Sequence, residues 1–415
     1  MDATMKRFLT FATLVLVSWG ACSCNHPVLV PEEETQEEKA AEPIVLTKAE
    51  SGINASSNAF GLNVFREINK QKTVDDLFIS PLSLSLALAM TSAGADGQTE
   101  AQMRKTMGFE GFTNTEMAEY YRKMTQALLD LDPKTTLQIA NAIWTDKGIS
   151  LKTGFVSDVT NYYHSEANSA DMAARATIDA INSWCAKHTN GKIPKILDYD
   201  SAGLAVLLIN ALYFNGIWTT QFTDTFNGSF RSLSGKGGDV TMMRSTRSMP
   251  YASNGQWKMV QLPYGNGAFV MDLLLPIEEK AFEKLVSSLD ETTWETLTKN
   301  LRSCEVQLQM PKFKMEYEIV LNDILETLGM KDAFSGRADF SKMSTIPLCI
   351  DFVKQKTYVD VNEKGTEAAA VTAVGMKVTS VGPSQTLSFI ADRPFVFAIR
   401  EVSTGAILFI GQKTK

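Results

Sequence analysis

Histidine is almost absent: three in 415 residues. His26 lies in an N-terminal tail, His164 in "YYHSE", and His188 closes a predicted helix in "AKHTNG", where the end of the helix dipole suits an imidazole. None has a nucleophile or a metal-binding partner at motif spacing. The patterns G-x-S-x-G, H-E-x-x-H and G-x-x-x-x-G-K-[ST] are missing too, so the chain is expected not to be an enzyme. Cysteine is sparse. Beyond Cys22 and Cys24, the chain has Cys185, Cys304 and Cys349, far apart and without CxxC or Cys/His spacing. We expect buried thiols, with no required disulfide, no metal and no cofactor. Positive charge is in deficit, 40 Lys and Arg against 47 Asp and Glu, with a pI near 5.3. No basic stripe with interleaved aromatics occurs, which argues against nucleic-acid binding. The acidic balance favours solubility and names no partner.

What is present begins at the N-terminus. From Met5 the chain reads "MKRFLTFATLVLVSWGACSC": a basic start, an apolar run and small residues before cysteine. That is the pattern of a secretory signal. The apolar run, about Phe8 to Trp19, falls short of the roughly 20 residues that span a bilayer. The ending resembles a bacterial lipoprotein signal, in which cleavage leaves a lipidated cysteine. Cys24 fits slightly better and Cys22 nearly as well; an ordinary cleaved signal is the plainer alternative. Residues 1–24 are thus read as a signal and 25–50, with "PEEETQEEKAAEP", as an acidic linker with too little apolar surface to order itself. The expected location is a bacterial cell envelope. The chain would be lipid-anchored to the outer membrane, on its periplasmic face or at the cell surface, or secreted.

Folded material is expected from about Ser51. Phe60, Val64 and Ile68 share one helical face. In "SPLSLSLALAM", Ser80 is a natural N-cap and Pro81 suits the first helical position. Further helices are predicted after "GADGQTEAQM" and over about 115–131. "TLQIANAIWTD" alternates as a strand, and "TIDAINSWCAKHTNGKIP" is a helix ending at Asn190-Gly191. "LAVLLINALYFNGIW" is apolar enough for a central strand covered on both faces. "WKMVQLPYGNGAFVMDLLLP" reads as a hairpin turning at "GNG". A helix over about 279–300, one strand in "CEVQLQMPKFKMEYEI" and a helix over about 320–328 follow. No repeat or internal linker breaks residues 51–415, so one large α+β domain is expected.

The tract "NEKGTEAAAV", from Asn362, is helix-permissive yet lies between strand-like runs. It resembles the hinge of the serpin reactive-centre loop. "FIADRPFVFAIREVSTGAILFIGQ" resembles the family's C-terminal signature. Upstream, "LFISPLSLSLALAMTSAGADGQT", "TNGKIPKIL", "LINALYFNGIW" and "QMPKFKMEYE" follow in the family's order. The resemblance covers residues 51–415.

It implies a single serpin-type domain: a dominant mixed β-sheet, further smaller sheets, about eight or nine helices, and an exposed loop over about 363–388. It also implies inhibition of serine endopeptidases, with cysteine endopeptidases as a further class. The protease is acylated on the loop. The cut loop then inserts into the main sheet as an extra strand and carries the enzyme along. The hinge would comprise Glu363, Gly365, Thr366, Glu367, Ala368, Ala369 and Ala370. In an inserted strand Thr366, Ala368, Ala370 and Thr372 would face one way, all small, and residues 366–379 would span roughly 46 Å. Ser80, Ser83 and Asn210 match the family's shutter, Trp218 its breach tryptophan, and Lys312 with Glu363 an ion pair at the base of the loop. A histidine common at the shutter is replaced by Gln355, which cannot titrate near pH 6.

Counting about sixteen residues from Glu363 puts the reactive bond at Thr379–Ser380, a count that can slip by two or three. Met376, Lys377 and Val378 are therefore also candidates. Lys377 suits trypsin-like proteases and Val378 or Thr379 elastase-like ones. The expected partners are such proteases, bound by a monomer. The alternative is a non-inhibitory relative acting as carrier, storage protein or chaperone; the absence of proline, bulky or added charged residues from "GTEAAAVTA" speaks against it.

Overall fold

The computed structural model describes residues 41–71, 75–198, 204–367 and 386–415, and all of these belong to one compact unit. The first half is mostly helical. Helix α1 (Lys48–Gln71) leads to strand β1 (Leu77–Ile79) and then to α2 (Pro81–Ala93), α3 (Gly97–Met107) and α4 (Asn114–Asp130). Strand β2 (Thr135–Asp146), α5 (Thr153–Tyr163), β3 (Ser165–Ala170), α6 (Arg175–His188) and β4 (Val206–Ile217) follow. The β-rich part holds β5 (Asp224–Arg231), β6 (Gly237–Ser253), β7 (Trp257–Tyr264) and β8 (Phe269–Pro276), then α7 (Phe282–Ser287) and α8 (Glu291–Lys299). Next come β9 (Arg302–Pro311), β10 (Phe313–Val320), α9 (Asn322–Leu328), β11 (Lys354–Asn362) and β12 (Gly365–Thr366). Strands β13 (Leu387–Ile390), β14 (Phe395–Glu401) and β15 (Ile407–Lys413) close the chain. Nine α-helices and a mixed β architecture, among the described residues, match the expected α+β class.

Local chemistry explains the main elements. The Ser80 hydroxyl accepts the Ser83 amide at 3.2 Å, Pro81 occupies the first turn, and α2 is buried on nearly every side. Thr113 and Glu116 form a capping box that starts α4. The β7–β8 hairpin turns through Gly265 and Gly267, whose φ values of 46° and 89° suit glycine.

Two sequence expectations are corrected. The single helix over 279–300 is broken: α7 ends at Ser287, and Asp290 caps a new helix by accepting the Thr293 amide at 2.8 Å. The single strand in "CEVQLQMPKFKMEYEI" is two, in different sheets. It divides at Lys312, whose amide still bonds Thr241 O on β6 at 2.8 Å, while Phe313 begins the pairing with Val361 on β11. Alternation alone could not show this, since both halves keep period two.

The strands form a nine-stranded sheet and a six-stranded sheet ordered β10-β11-β12-β4-β2-β3. The main core lies between them and α1 and α2. On the other face of the six-stranded sheet, Ile178, Ile181 and Trp184 of α6 pack on Ala140, Ala142, Leu207 and Ile209 of β2 and β4.

Candidate functional site

The six-stranded sheet has an unusual middle. Strands β11 and β4 run side by side, yet among the described residues no ladder joins them directly. Among the described residues, the two residues of β12 stand between them. Gly365 lies opposite Asn362 on one side and Ile217 on the other; Thr366 lies opposite Val361 and Gly216. Among the described residues the edges of this slot between β11 and β4 are bridged at that end.

Glycine at 365 is dictated by space. A Cβ there would fall 2.1 Å from Gly216 O and 2.8 Å from Ile217 Cα, both backbone. Thr366 is buried, and its Oγ1 pairs with the Tyr264 hydroxyl at 2.6 Å. Tyr264 is fully buried, and that burial pushes its phenol far above the ordinary range, so it stays protonated. Trp218 stacks on Tyr264 with ring centres 4.3 Å apart. Its indole N–H donates to Asn362 O at 2.9 Å and its amide to Lys364 O at 2.9 Å, closing the turn that feeds β12. Lys312 and Glu363 meet at 2.5 Å beside that turn. The Lys312 ammonium holds the Glu363 carboxyl below the usual range.

Further down the slot, Gln355 on β11 grips the start of α2. Its Oε1 accepts the Ser80 amide at 2.8 Å and its Nε2 donates to Ser80 O at 3.0 Å. Ser80 Oγ also donates to Leu408 O at 2.6 Å, and Thr357 Oγ1 donates to Phe78 O at 2.6 Å. Ser83 is buried beside Ser80. Asn210 pairs its backbone with Asn141 on β2, and its side chain lies outside the described part. Ala368, Ala369, Ala370, Met376, Lys377, Val378, Thr379 and Ser380 lie outside the described residues, as do Cys22 and Cys24.

A profile described as "Serpin (serine protease inhibitor)" matches residues 55–415. The chain belongs to the serpin family. It is 31% identical to Iripin-2 of Ixodes ricinus over 433 residues, covering 100% of this chain and 99% of the relative. It is 33% identical to the leukocyte elastase inhibitor of Bos taurus over 379 residues, covering 87% and 98%. Among solved structures, the native thermophilic serpin Tengpin superposes with a TM-score of 0.81 at 32% identity, covering 91% of this chain and 97% of that one. Serpins are typically protease inhibitors, and some members are not inhibitory.

Several partners in this serpin's slot escaped sequence reading. Tyr264 sits in the hairpin "LPYGNG", 102 residues before Thr366, with no local signal of their contact. Thr357 and Lys192 were equally silent. Cys185 is buried, which pushes its thiol up to about 12 and makes it inert. Cys304 and Cys349 are free and only half-buried, not buried as expected, because both sit where a strand or loop reaches the surface.

Proposed function

We propose that this serpin inhibits serine endopeptidases as a suicide substrate, trapping the acylated enzyme by threading its cut loop into the slot between β11 and β4. The observation that carries this reading is Gly365–Thr366, already laddered on both sides while nothing else among the described residues joins the two flanking strands. The residues that would follow, Ala368 to Ala370, are small enough to pass between them. Trp218 and Tyr264 frame the point of entry, and below it Gln355 ties β11 to Ser80 at the start of α2, beside Ser83. Lys377 supports trypsin-like targets; Val378 and Thr379, with the kinship to an elastase inhibitor, support elastase-like ones. The signal-like N-terminus and Cys22 or Cys24 support lipid anchoring of a monomer to a bacterial outer membrane.

The test is denaturing electrophoresis after mixing with trypsin or elastase. A denaturant-resistant band at the summed mass less a small C-terminal peptide is expected. Clean cleavage with no such band returns the chain to the non-inhibitory branch of the family.

Gln355 makes a second expectation specific. Its amide cannot gain a proton near pH 6. The Lys312–Glu363 pair stabilises above the ordinary glutamate range and is lost only as pH falls through the lowered Glu363 pKa, so it too is constant in that window. Being partly exposed, it is worth about 0–1 kcal/mol. Gln355→His should introduce a response. A neutral imidazole can accept the Ser80 amide; an imidazolium cannot, and it leaves a buried charge. Sheet opening in the variant should therefore accelerate below about pH 6, while the parent's rate stays flat. Stopped-flow inhibition rates corrected for the protease's own pH profile decide it. Equal profiles for the two proteins contradict this role of Gln355.

A further inference from the structure

Strand β12 stops earlier than its hydrogen bonds require. The Glu367 amide still donates to Asp360 O at 2.8 Å, the bond that a continuing β11–β12 ladder would make. Glu367 itself has φ 62°. That left-handed conformation is unfavourable for a non-glycine residue, and it departs from the strand conformation.

The surroundings explain why it persists. The Glu367 side chain is only 6% exposed and is ion-paired to Lys192. Lys192 lies in the segment 189–198 that follows α6. This segment is pinned to both banks of the slot. Asn190 Nδ2 donates to the Tyr213 hydroxyl on β4 at 3.3 Å, and Lys356 Nζ on β11 donates to Lys195 O at 3.1 Å. The Lys192 ammonium also sits 4.9 Å from the ring centre of Tyr358 on β11. Tyr213 and Tyr358 are level with each other, since Gly216 and Val361 both oppose Thr366. They face away from the main core, on the side covered by α6. The segment is therefore a strap across the outer mouth of the slot.

We propose that Lys192 and Glu367 form a latch that holds Glu367 out of the strand conformation and sets the rate of loop insertion. The proposal rests on the insertion reading above. For β12 to extend past Thr366, Glu367 must give up its left-handed backbone beneath the strap, and the ion pair made in that conformation opposes the change. Breaking a partly buried pair raises the barrier; relief of the left-handed backbone favours completion once it is broken. The carboxylate also lifts the Lys192 ammonium above the ordinary lysine range.

The test follows conversion of the intact protein to a urea-resistant form on mild warming, read on urea gels. Lys192→Met and Glu367→Gln should each convert about tenfold faster than the parent, and the double variant no faster than either single one. Lys192→Arg, which keeps the charge, should convert at the parent rate and reports that the strap folds. Added salt should speed the parent and leave the uncharged variants unchanged; that arm still decides if a variant fails to fold. Parent-like or slower rates in both single variants, additive effects, or a salt-insensitive parent overturn the latch. Parent protein cut in the loop is the control. If it gains no thermal stability, the insertion reading itself has failed; if it gains stability while the variants convert like the parent, only the latch has.

Discussion

Under the proposed insertion mechanism, replacing Thr366 with arginine is expected to give plain cleavage of this serpin in place of protease trapping. Thr366 is 2% exposed, and its hydroxyl is bonded to a fully buried tyrosine. Arginine there has two choices. It can bury a guanidinium against Tyr264 and Trp218, at a cost of several kcal/mol. Or it can stay outside, which leaves Tyr264 without a partner and the top of the slot unfilled. Either way insertion slows while acylation, which occurs far along the loop, continues. Deacylation then wins. The number of inhibitor molecules consumed per protease trapped should rise about tenfold or more, and the resistant band should give way to cleaved chain. An unchanged stoichiometry measured by titration against active-site-standardised trypsin or elastase contradicts this.

Gly365→Ala should act at the same place by a different physical route. The added methyl would lie 2.1 Å from a backbone oxygen, with no flexible side chain to yield. The φ of 157° at this residue also disfavours an L side chain. The expected result is expulsion of β12 from between β11 and β4. The buried Tyr264 hydroxyl then loses its partner, at about 1–3 kcal/mol. The native form should unfold at lower denaturant, and inhibition should weaken as in the arginine variant. Both variants are predicted to lower native stability as well as to slow insertion, since each takes the Thr366 hydroxyl from Tyr264. Equilibrium unfolding in urea checks this: an unaltered midpoint for Gly365→Ala would show that the strand tolerates the methyl.

How much of this was legible in the chain follows a physical pattern. Local rules carried far. Ser80-Pro81 announced the start of α2, and the glycines of "GNG" announced a hairpin. The run "LAVLLINALYFNGIW" became β4 in the middle of its sheet. These features depend on a few adjacent residues. What stayed hidden depends on contacts across the chain. The break at 288–290 arises where Asp290 makes a better cap than a helix interior. The division at Lys312 arises because two sheets meet there. Tyr264 under Thr366, and Lys192 against Glu367, are pairs separated by 102 and 175 positions, and no local pattern couples them. In the candidate site, the hinge glycine, Trp218 and Gln355 could be named from the family resemblance, but the reasons those residues sit there came only with the fold.

The claim on which the mechanism stands is that the native fold lies above a more stable form, reached when the severed loop fills the slot. Each slot edge carries backbone groups without a ladder partner in the described structure, and an inserted strand of about ten residues would satisfy them at roughly 1 kcal/mol per bond. The most direct measurement compares calorimetric melting of intact protein with protein cut once within the loop by a non-target protease. The cut form is predicted to melt higher, by on the order of 10–20 °C. A cut form that melts at or below the intact one would contradict the account.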